Sequence, residues 1–290
     1  MKKYPIVLVH GIARFDILRQ ILIENNVVLD PEEKLHYFKG IKPFLEQHGF
    51  RTYYADVTFA GSVNENARRL SVRINEILAD GHDKVHIIGH SMGGLNARRM
   101  IVDFAGMAQR IASVTTIGTP HKGSPVADAV IGFGGALLRE MLSPLIHLEG
   151  VGDLTTGACR AFNDRARNAE ARNAVAYQVY YAQQELRDVF APLQLAWLII
   201  HDKAKEGDND GLVSVTSQKW EATLKADDGT EKCILQKSFP VPADHLNEVG
   251  WWDLQESRVS VGMTPLLLQA SAYEEKIRSV YLEIATSLPE

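Results

Sequence analysis

Short apolar runs alternate along the chain with longer stretches in which apolar residues recur every three or four positions. Ile6–Val9 is a β-branched run ending at His10-Gly11, the pattern of a buried strand entering a loop. A helical stretch follows at 35–48, stopped by Gly49, and 50–55 reads as the next strand. Residues 64–79 carry Ala67, Leu70, Ile74, Ile77 and Leu78 as a helical stripe that ends at Gly81. A buried strand at 85–89, a helix at 94–104 and a strand at 111–117 complete the first part. Strands alternating with helices predict a mainly parallel sheet covered on both faces.

The middle of the chain breaks this rhythm. Residues 125–175 mix glycines, helical pieces and a polar, Arg/Asn-rich stretch at 160–173. Strand-like runs return at 175–181 and 195–201, the charged stretch 225–232 reads as a hairpin turn or surface loop, and 265–288 reads as a closing helix. No internal repeat or low-complexity segment interrupts the pattern. The expectation is one α/β domain over 1–290 with a cap inserted at about 125–175.

Composition narrows the function classes. With 46% hydrophobic and 23% charged residues in 290, the chain can bury a core and is not a disordered segment. The 31 basic and 36 acidic residues give a net charge of −5 with no Lys/Arg-rich run, which argues against a nucleic-acid partner. No stretch approaches the roughly 18 apolar residues of a membrane span. The apolar run after Lys2-Lys3 is shorter than the roughly 7–15 residues of a signal-peptide core. A cytoplasmic protein, export by a signal-less route, or numbering from a mature start are the expectations. Cys159 and Cys233 cannot form a disulfide framework or a cysteine-rich zinc site; they pair once or stay free.

The strongest chemical signal is Gly89-His90-Ser91-Met92-Gly93, which follows a strand and precedes a helix. In a G-x-S-x-G elbow the serine sits on a strained strand-to-helix turn, where flanking side chains would collide with neighbouring elements. The turn lifts the Ser91 hydroxyl clear of the sheet, at the positive end of a helix dipole. Such a serine needs a base, and the base needs an orienting acid. On an elbow of this kind the chain order is Ser, then Asp/Glu, then His. Of ten histidines, His245 is the last and the only one after Asp210, in the polar loop Ala243-Asp244-His245-Leu246-Asn247. Two acids fit the spacing. Asp202 follows the strand-like run 195–201, and Asp210 lies in Asp208-Asn209-Asp210-Gly211; spacing alone does not separate them. For the oxyanion, the backbone N–H of Met92, after the nucleophile, and that of Ile12, after His10-Gly11, are the candidate donors.

Taken together, these stretches resemble the bacterial true lipases of the Pseudomonas, Burkholderia and Proteus type. The matching residues are Tyr4-Pro5-Ile6-Val7-Leu8-Val9-His10-Gly11, Gly89-His90-Ser91-Met92-Gly93-Gly94, Gly118-Thr119-Pro120-His121-Lys122-Gly123-Ser124, Asn209-Asp210-Gly211-Leu212-Val213 and Asp244-His245-Leu246-Asn247-Glu248-Val249. They run in the family's order over about 250 residues. The resemblance implies an α/β-hydrolase fold, carboxylic-ester hydrolysis and a helical lid. It also selects Asp210, because the family's triad acid stands in the Asn-Asp-Gly-Leu-Val stretch.

Two departures qualify it. The segment before the Tyr37-Phe38-x-Gly40-Ile41 match carries extra residues at about 18–33, beside the oxyanion loop. In the family a calcium ion ties down the histidine loop, through an Asp two residues after the histidine, a Gln six after it and an upstream Asp. Here those positions hold Asn247, Trp251 and, by alignment on Pro192, Ala191. Calcium takes roughly 6–8 oxygens, carboxylates among them, so the expectation is no metal and no cofactor, with Trp251 and Trp252 anchoring the loop by packing.

The lid is expected over 129–149, where Val130, Leu137, Leu138, Met141, Leu142, Leu145 and Ile146 form an apolar side, Arg139 and Glu140 face water, and Gly132, Gly134 and Gly135 supply flexible backbone. The reading is a serine carboxylic-ester hydrolase, a triacylglycerol lipase acting through Ser91, Asp210 and His245, with ester or lipid substrate and transient lipid contact through the lid. The alternatives are a short-chain carboxylesterase and a non-catalytic hydrolase-like binding protein.

Overall fold

A computed structural model describes residues 4–12, 36–132, 135–143, 146–251 and 263–289. The extra residues at about 18–33 and Trp252 lie outside the described residues.

Six parallel strands form the central sheet: β1 (Ile6–Val9), β2 (Thr52–Tyr54), β3 (Val85–His90), β4 (Ile111–Ile117), β5 (Ala176–Tyr181) and β8 (Leu235–Ser238). Their order across the sheet is β2-β1-β3-β4-β5-β8. A separate antiparallel hairpin pairs β6 (Thr223–Lys225) with β7 (Glu231–Cys233), so the charged stretch at 225–232 turns between them. The alternation of side chains along β1 divides the core in two. Ile6 and Leu8 join the cluster containing Ile41 and Leu45 of α1 (Ile41–Gln47) and Ile277 and Tyr281 of α10 (Met263–Thr286). Val7 and Val9 join Leu70 and Ile74 of α2 (Val63–Ala79), and Ala97 and Met100 of α3 (Met92–Asp103), on the opposite face. Both faces are thus covered, as a parallel sheet requires.

β3 and β1 pair in the register Leu8↔Ile88 and Val9↔Gly89, which brings both strand ends, His10-Gly11 and His90-Ser91, to one edge. Short α4 (Met107–Arg110) leads into β4. The stretch between β4 and β5 holds α5 (Pro125–Ile131), α6 (Ala136–Leu142), a 3-10 turn over Leu148–Leu154 and α7 (Thr156–Arg172). The polar stretch is therefore helix as far as Arg172, held by burial of Cys159, Phe162, Ala166 and Ala171 on one side.

Arg98, fully buried in α3, binds Glu170 of α7 through Nε (2.8 Å) and Nη2 (3.0 Å), and its guanidinium lies 3.7 Å from the Trp220 ring. A buried charge is tolerated when paired and saturated with hydrogen bonds in this way. His121 stacks on the same indole at 4.9 Å between centroids.

One expected strand is helical. Residues 195–201 fall in α8 (Gln194–Leu198) and a π turn over Ile199–Lys203, and the short α9 (Val215–Gln218) follows. Pro192 opens the preceding 3-10 turn, and Ala196 and Ile200, four apart, make the buried stripe of a helix. β8, in contrast, gives no apolar run: Leu-Gln-Lys-Ser forms the outer strand, with no fully buried residue. Both cysteines are free, Cys159 buried and Cys233 exposed. Among the described residues no helix is long and apolar enough to cross a membrane.

Candidate active site

Ser91 leaves β3 with φ 55° and ψ −131°, and is one of two non-glycine residues with positive φ among those described. A conformation this costly persists only where the surroundings hold it. The elbow packs tightly against β1. A Cβ on Gly93 would stand 2.1 Å from the Val9 carbonyl oxygen, and one on Gly89 would stand 2.7 Å from the Gly94 nitrogen. The Ser91 N–H donates to the Ile117 carbonyl (2.9 Å), and the Thr119 hydroxyl donates to the Ser91 carbonyl (2.8 Å). Backbone strain is thereby locked from β1, β4 and the Gly118-Thr119 turn.

The Ser91 hydroxyl donates to His245 Nε2 (2.8 Å), and His245 Nδ1–H donates to Asp210 Oδ2 (2.8 Å). The backbone fixes the same pair, since the His245 N–H donates to the Asp210 carbonyl (2.8 Å). Asp210 Oδ1 accepts the N–H groups of Leu212 (2.8 Å) and Val213 (2.7 Å), and Gln218 Nε2 donates to Oδ2 (3.1 Å). A fully buried carboxylate so supplied with donors is held in one orientation. Asp202 takes no part: it sits in the π turn, its side chain 62% exposed, bonded to His201. The two acids that spacing left open are thus separated by which of them reaches His245.

Met92 is the first residue of α3, where a backbone N–H has no partner within the helix. Ile12 and Met92 converge below Gly150: a Cβ on that glycine would meet Ile12 Cδ1 at 2.9 Å and Met92 Sδ at 3.4 Å. Ser91 and His245 open onto a cavity of about 40 Å³ whose walls include Ile12, Val126, Val130, Ile146 and Leu154. The expected lid stretch holds α6 and the end of α5. Val130 belongs to α5, while Leu138 and Leu142 of α6 are buried in the core with Ile146. Ile131 and Met141 face solvent, and Arg139 Nη1 donates to the Val130 carbonyl (2.6 Å), tying α6 back to α5. Gly134 and Leu145 lie outside the described residues, as does the side chain of Leu137.

The loop carrying His245 is held by side chains. Asn247 Oδ1 accepts the Asp244 N–H (3.1 Å), and its Nδ2 donates to the Trp251 carbonyl (2.8 Å). Asp244 accepts from Phe190, Leu246 and Asn247 backbone N–H groups, and burial pushes its carboxyl up to about 6. The Trp251 indole N–H donates to the Tyr37 carbonyl (3.0 Å), with the Lys39 ammonium 4.9 Å from the ring centroid. Ala191 contributes no side-chain oxygen in the 3-10 turn Ala191–Leu193. Among the described residues one group of histidines and carboxylates has ligating atoms within 4.8 Å of one another: His90, His245 and Glu248. Every ring nitrogen there is already committed, those of His245 to Ser91 and Asp210 and those of His90 to Tyr37 and Glu248. Tyr37, His90 and Glu248 stand within the sequence motifs, but nothing in their spacing points to a role.

Parallel sheet, flanking helices and serine elbow define the α/β-hydrolase fold. The Staphylococcus hyicus lipase shares this fold with a TM-score of 0.61 at 19% identity, over 97% of this chain and 96% of that one. Residues 55–133 match the PGAP1-like alpha/beta domain. In sequence the chain is 29% identical over 280 residues to triacylglycerol lipase 2 of Saccharomyces cerevisiae, covering 86% of this chain and 81% of that protein. It is 38% identical over 132 residues to a triacylglycerol lipase of Burkholderia plantarii, covering 44% of this chain and 32% of that one. The chain has the α/β-hydrolase fold, and its relatives support a hydrolase of the lipase or esterase kind.

Proposed function

We propose that the chain hydrolyses carboxylic esters, triacylglycerols among them, through an acyl-enzyme formed on Ser91. The observation that carries the reading is the continuous chain Ser91–His245–Asp210, 2.8 Å at each link, opening onto an apolar cavity. His245 takes the Ser91 proton as the hydroxyl oxygen attacks the ester carbonyl, and returns it to the leaving alcohol. A water molecule then attacks the acyl-enzyme by the same route. Asp210 keeps the imidazole in the Nδ1–H tautomer and stabilises the imidazolium formed in each half. The backbone N–H groups of Met92 and Ile12 receive the oxyanion; loss of one such donor typically costs about 10²–10³ in kcat.

The cavity volume bears on substrate length. A cavity of about 40 Å³ is too small to enclose a long acyl chain, which would extend out of its open side or displace α5, α6 or Ile146. The exposed Ile131 and Met141 support a cap that meets lipid as it opens. The same small cavity favours a second reading, a short-chain carboxylesterase whose cap stays shut. Hydrolysis rates for esters of increasing acyl length, below and above their solubility limits, separate the two: a lipase gains rate on dispersed long-chain ester, and a closed esterase does not.

The motif set that resembles the Pseudomonas, Burkholderia and Proteus lipases supports placement near that type, without its calcium site. Asn247 is spent on backbone hydrogen bonds and Trp251 packs against the Tyr37 segment, so the donors present do not fit a calcium ion. We propose that this packing does the tethering instead, and no step of the reaction involves a metal.

A further inference from the structure

A second row of polar side chains lies behind the triad and takes no part in the steps above. The Tyr37 hydroxyl donates to His90 Nδ1 (2.6 Å), and His90 Nε2–H donates to Glu248 Oε2 (2.8 Å). All three are buried, Glu248 and His90 completely. One ring nitrogen of His90 accepts and the other donates, the pattern of a neutral imidazole. Burial, with His245 nearby, keeps its pKa well below the usual histidine value. The fold makes room for this row. Gly118 turns at φ +56°, and a Cβ there would stand 2.0 Å from Glu248 Oε2. The Tyr281 hydroxyl donates to the Glu248 backbone carbonyl (3.0 Å).

The two ends of the row touch the two halves of the catalytic apparatus. At one end the Tyr37 hydroxyl hydrogen-bonds the Gly11 backbone, and a Cβ on Gly11 would stand 2.9 Å from that hydroxyl and 2.5 Å from Ser91 Cβ. At the other, the Glu248 side chain lies within hydrogen-bond reach of the Asp210 carboxyl, a contact that needs a proton on one of the two, and its Oε1 is buried with no other partner among the described residues. The groups facing Glu248 are His90 on β3, Asp210, Asp244 and His245 on loops, Tyr37 on the segment before α1, and Tyr281 on α10. None is a lysine or arginine, so a negative Glu248 would face the Asp210 carboxylate with no cation in this set to offset it. Burial first, and then the Asp210 charge, holds its carboxyl well above the usual range.

We propose that Tyr37, His90 and Glu248 form a positioning strut for ester hydrolysis, tying the Gly11-Ile12 turn to the triad acid, with Glu248 in its uncharged carboxylic-acid form. The inference rests on the reading of Ser91, His245 and Asp210 as the catalytic residues. An uncharged Glu248 leaves Asp210 as the single anion behind His245. A second anion there would raise the basicity of the imidazole and slow return of the proton to the leaving alcohol. Tyr37, at the far end, keeps the Ile12 N–H aimed at the developing oxyanion, an effect realised in the transition state rather than in substrate binding.

The test is an NMR titration of the His245 ring in the full chain, together with pH profiles of kcat and KM, for wild type, Glu248→Gln and Tyr37→Phe. Glu248→Gln is expected to leave the His245 pKa and the acid limb within about 0.3 of wild type, with kcat lowered roughly 3-fold. Tyr37→Phe is expected to lower kcat roughly 10-fold with KM within about 2-fold. A fall of about one unit in the His245 pKa on Glu248→Gln means that Glu248 was charged, and overturns the proposal. So does an unchanged kcat in Tyr37→Phe. The ¹³Cδ shift of Glu248 in wild type reads its charge without any variant: a carboxylic-acid shift at pH 7 is expected, and a carboxylate shift overturns the strut. Wild type that hydrolyses no ester sinks the catalytic reading instead, while both NMR measurements still decide the charge of Glu248.

Discussion

Ser91, His245 and Asp210 have distinct expected losses, because they do different work in one chain of hydrogen bonds. Ser91→Ala removes the attacking oxygen and should cut kcat by about 10⁵-fold or more, with far-ultraviolet circular dichroism unchanged. Asp210→Asn offers His245 an amide that cannot fix the required tautomer, for a loss of roughly 10⁴-fold. Asp202→Asn, on an exposed side chain outside this chain, should change kcat by less than about 2-fold. The reverse order for the two aspartates would contradict the assignment of the acid. Ser91 and His245 were legible in the sequence because an elbow needs its glycines at fixed places and only one histidine follows every candidate acid. The resemblance selected Asp210, but spacing alone left the acid open between Asp202 and Asp210, because a short apolar run such as 195–201 fits a strand as well as a helix. Its helical outcome is set by Pro192 and by burial of Ala196 and Ile200, which are tertiary facts. Glu248 left no signal of its own: one carboxylate among 36 acidic residues tells nothing of its depth.

At the scale of elements, the β3–α3 turn works only if α3 can lie directly on the end of β1. Gly93→Ala places a methyl 2.1 Å from the Val9 carbonyl oxygen, so backbone must move. A loss of about 3 kcal/mol or more is expected, read as a melting temperature about 6 °C or more below wild type. The helices over the cavity give a different kind of prediction. Ile131→Ser and Met141→Ser alter only exposed apolar surface, so they should slow hydrolysis of dispersed long-chain ester several-fold and leave soluble short-chain ester within about 2-fold. Equal losses on both would contradict a cap that opens against lipid. The histidine loop, pinned by Asn247 and Trp251, should keep its activity and melting temperature in excess EDTA; a fall that added calcium restores would contradict tethering by packing. Most of these elements were readable from periodicity. β8 was not, because an outer strand with no fully buried residue needs no apolar alternation.

The whole molecule carries a pH dependence set by its buried histidines. Desolvation lowers His10, His90 and His121, and brings His36 and His86 down to about 4. A histidine depressed in the folded state contributes stability that is present above about 6.5 and lost as pH falls towards its folded value. Asp244, raised to about 6, and Glu248, also raised, work the other way, since the folded state holds their protons more firmly as pH falls. Five groups outnumber two, so the melting temperature should be lower at pH 5 than at pH 7; a higher value at pH 5 would contradict the buried, neutral histidines. The proposed function requires that the same hydrogen-bonded interior present one activated hydroxyl, that of Ser91, to the cavity. It is tested most directly by intact-mass and peptide mass spectrometry after treatment with a fluorophosphonate. One adduct per chain, on Ser91, abolished in His245→Ala, is expected; no adduct on well-folded protein, or an adduct elsewhere, would contradict Ser91 as the nucleophile.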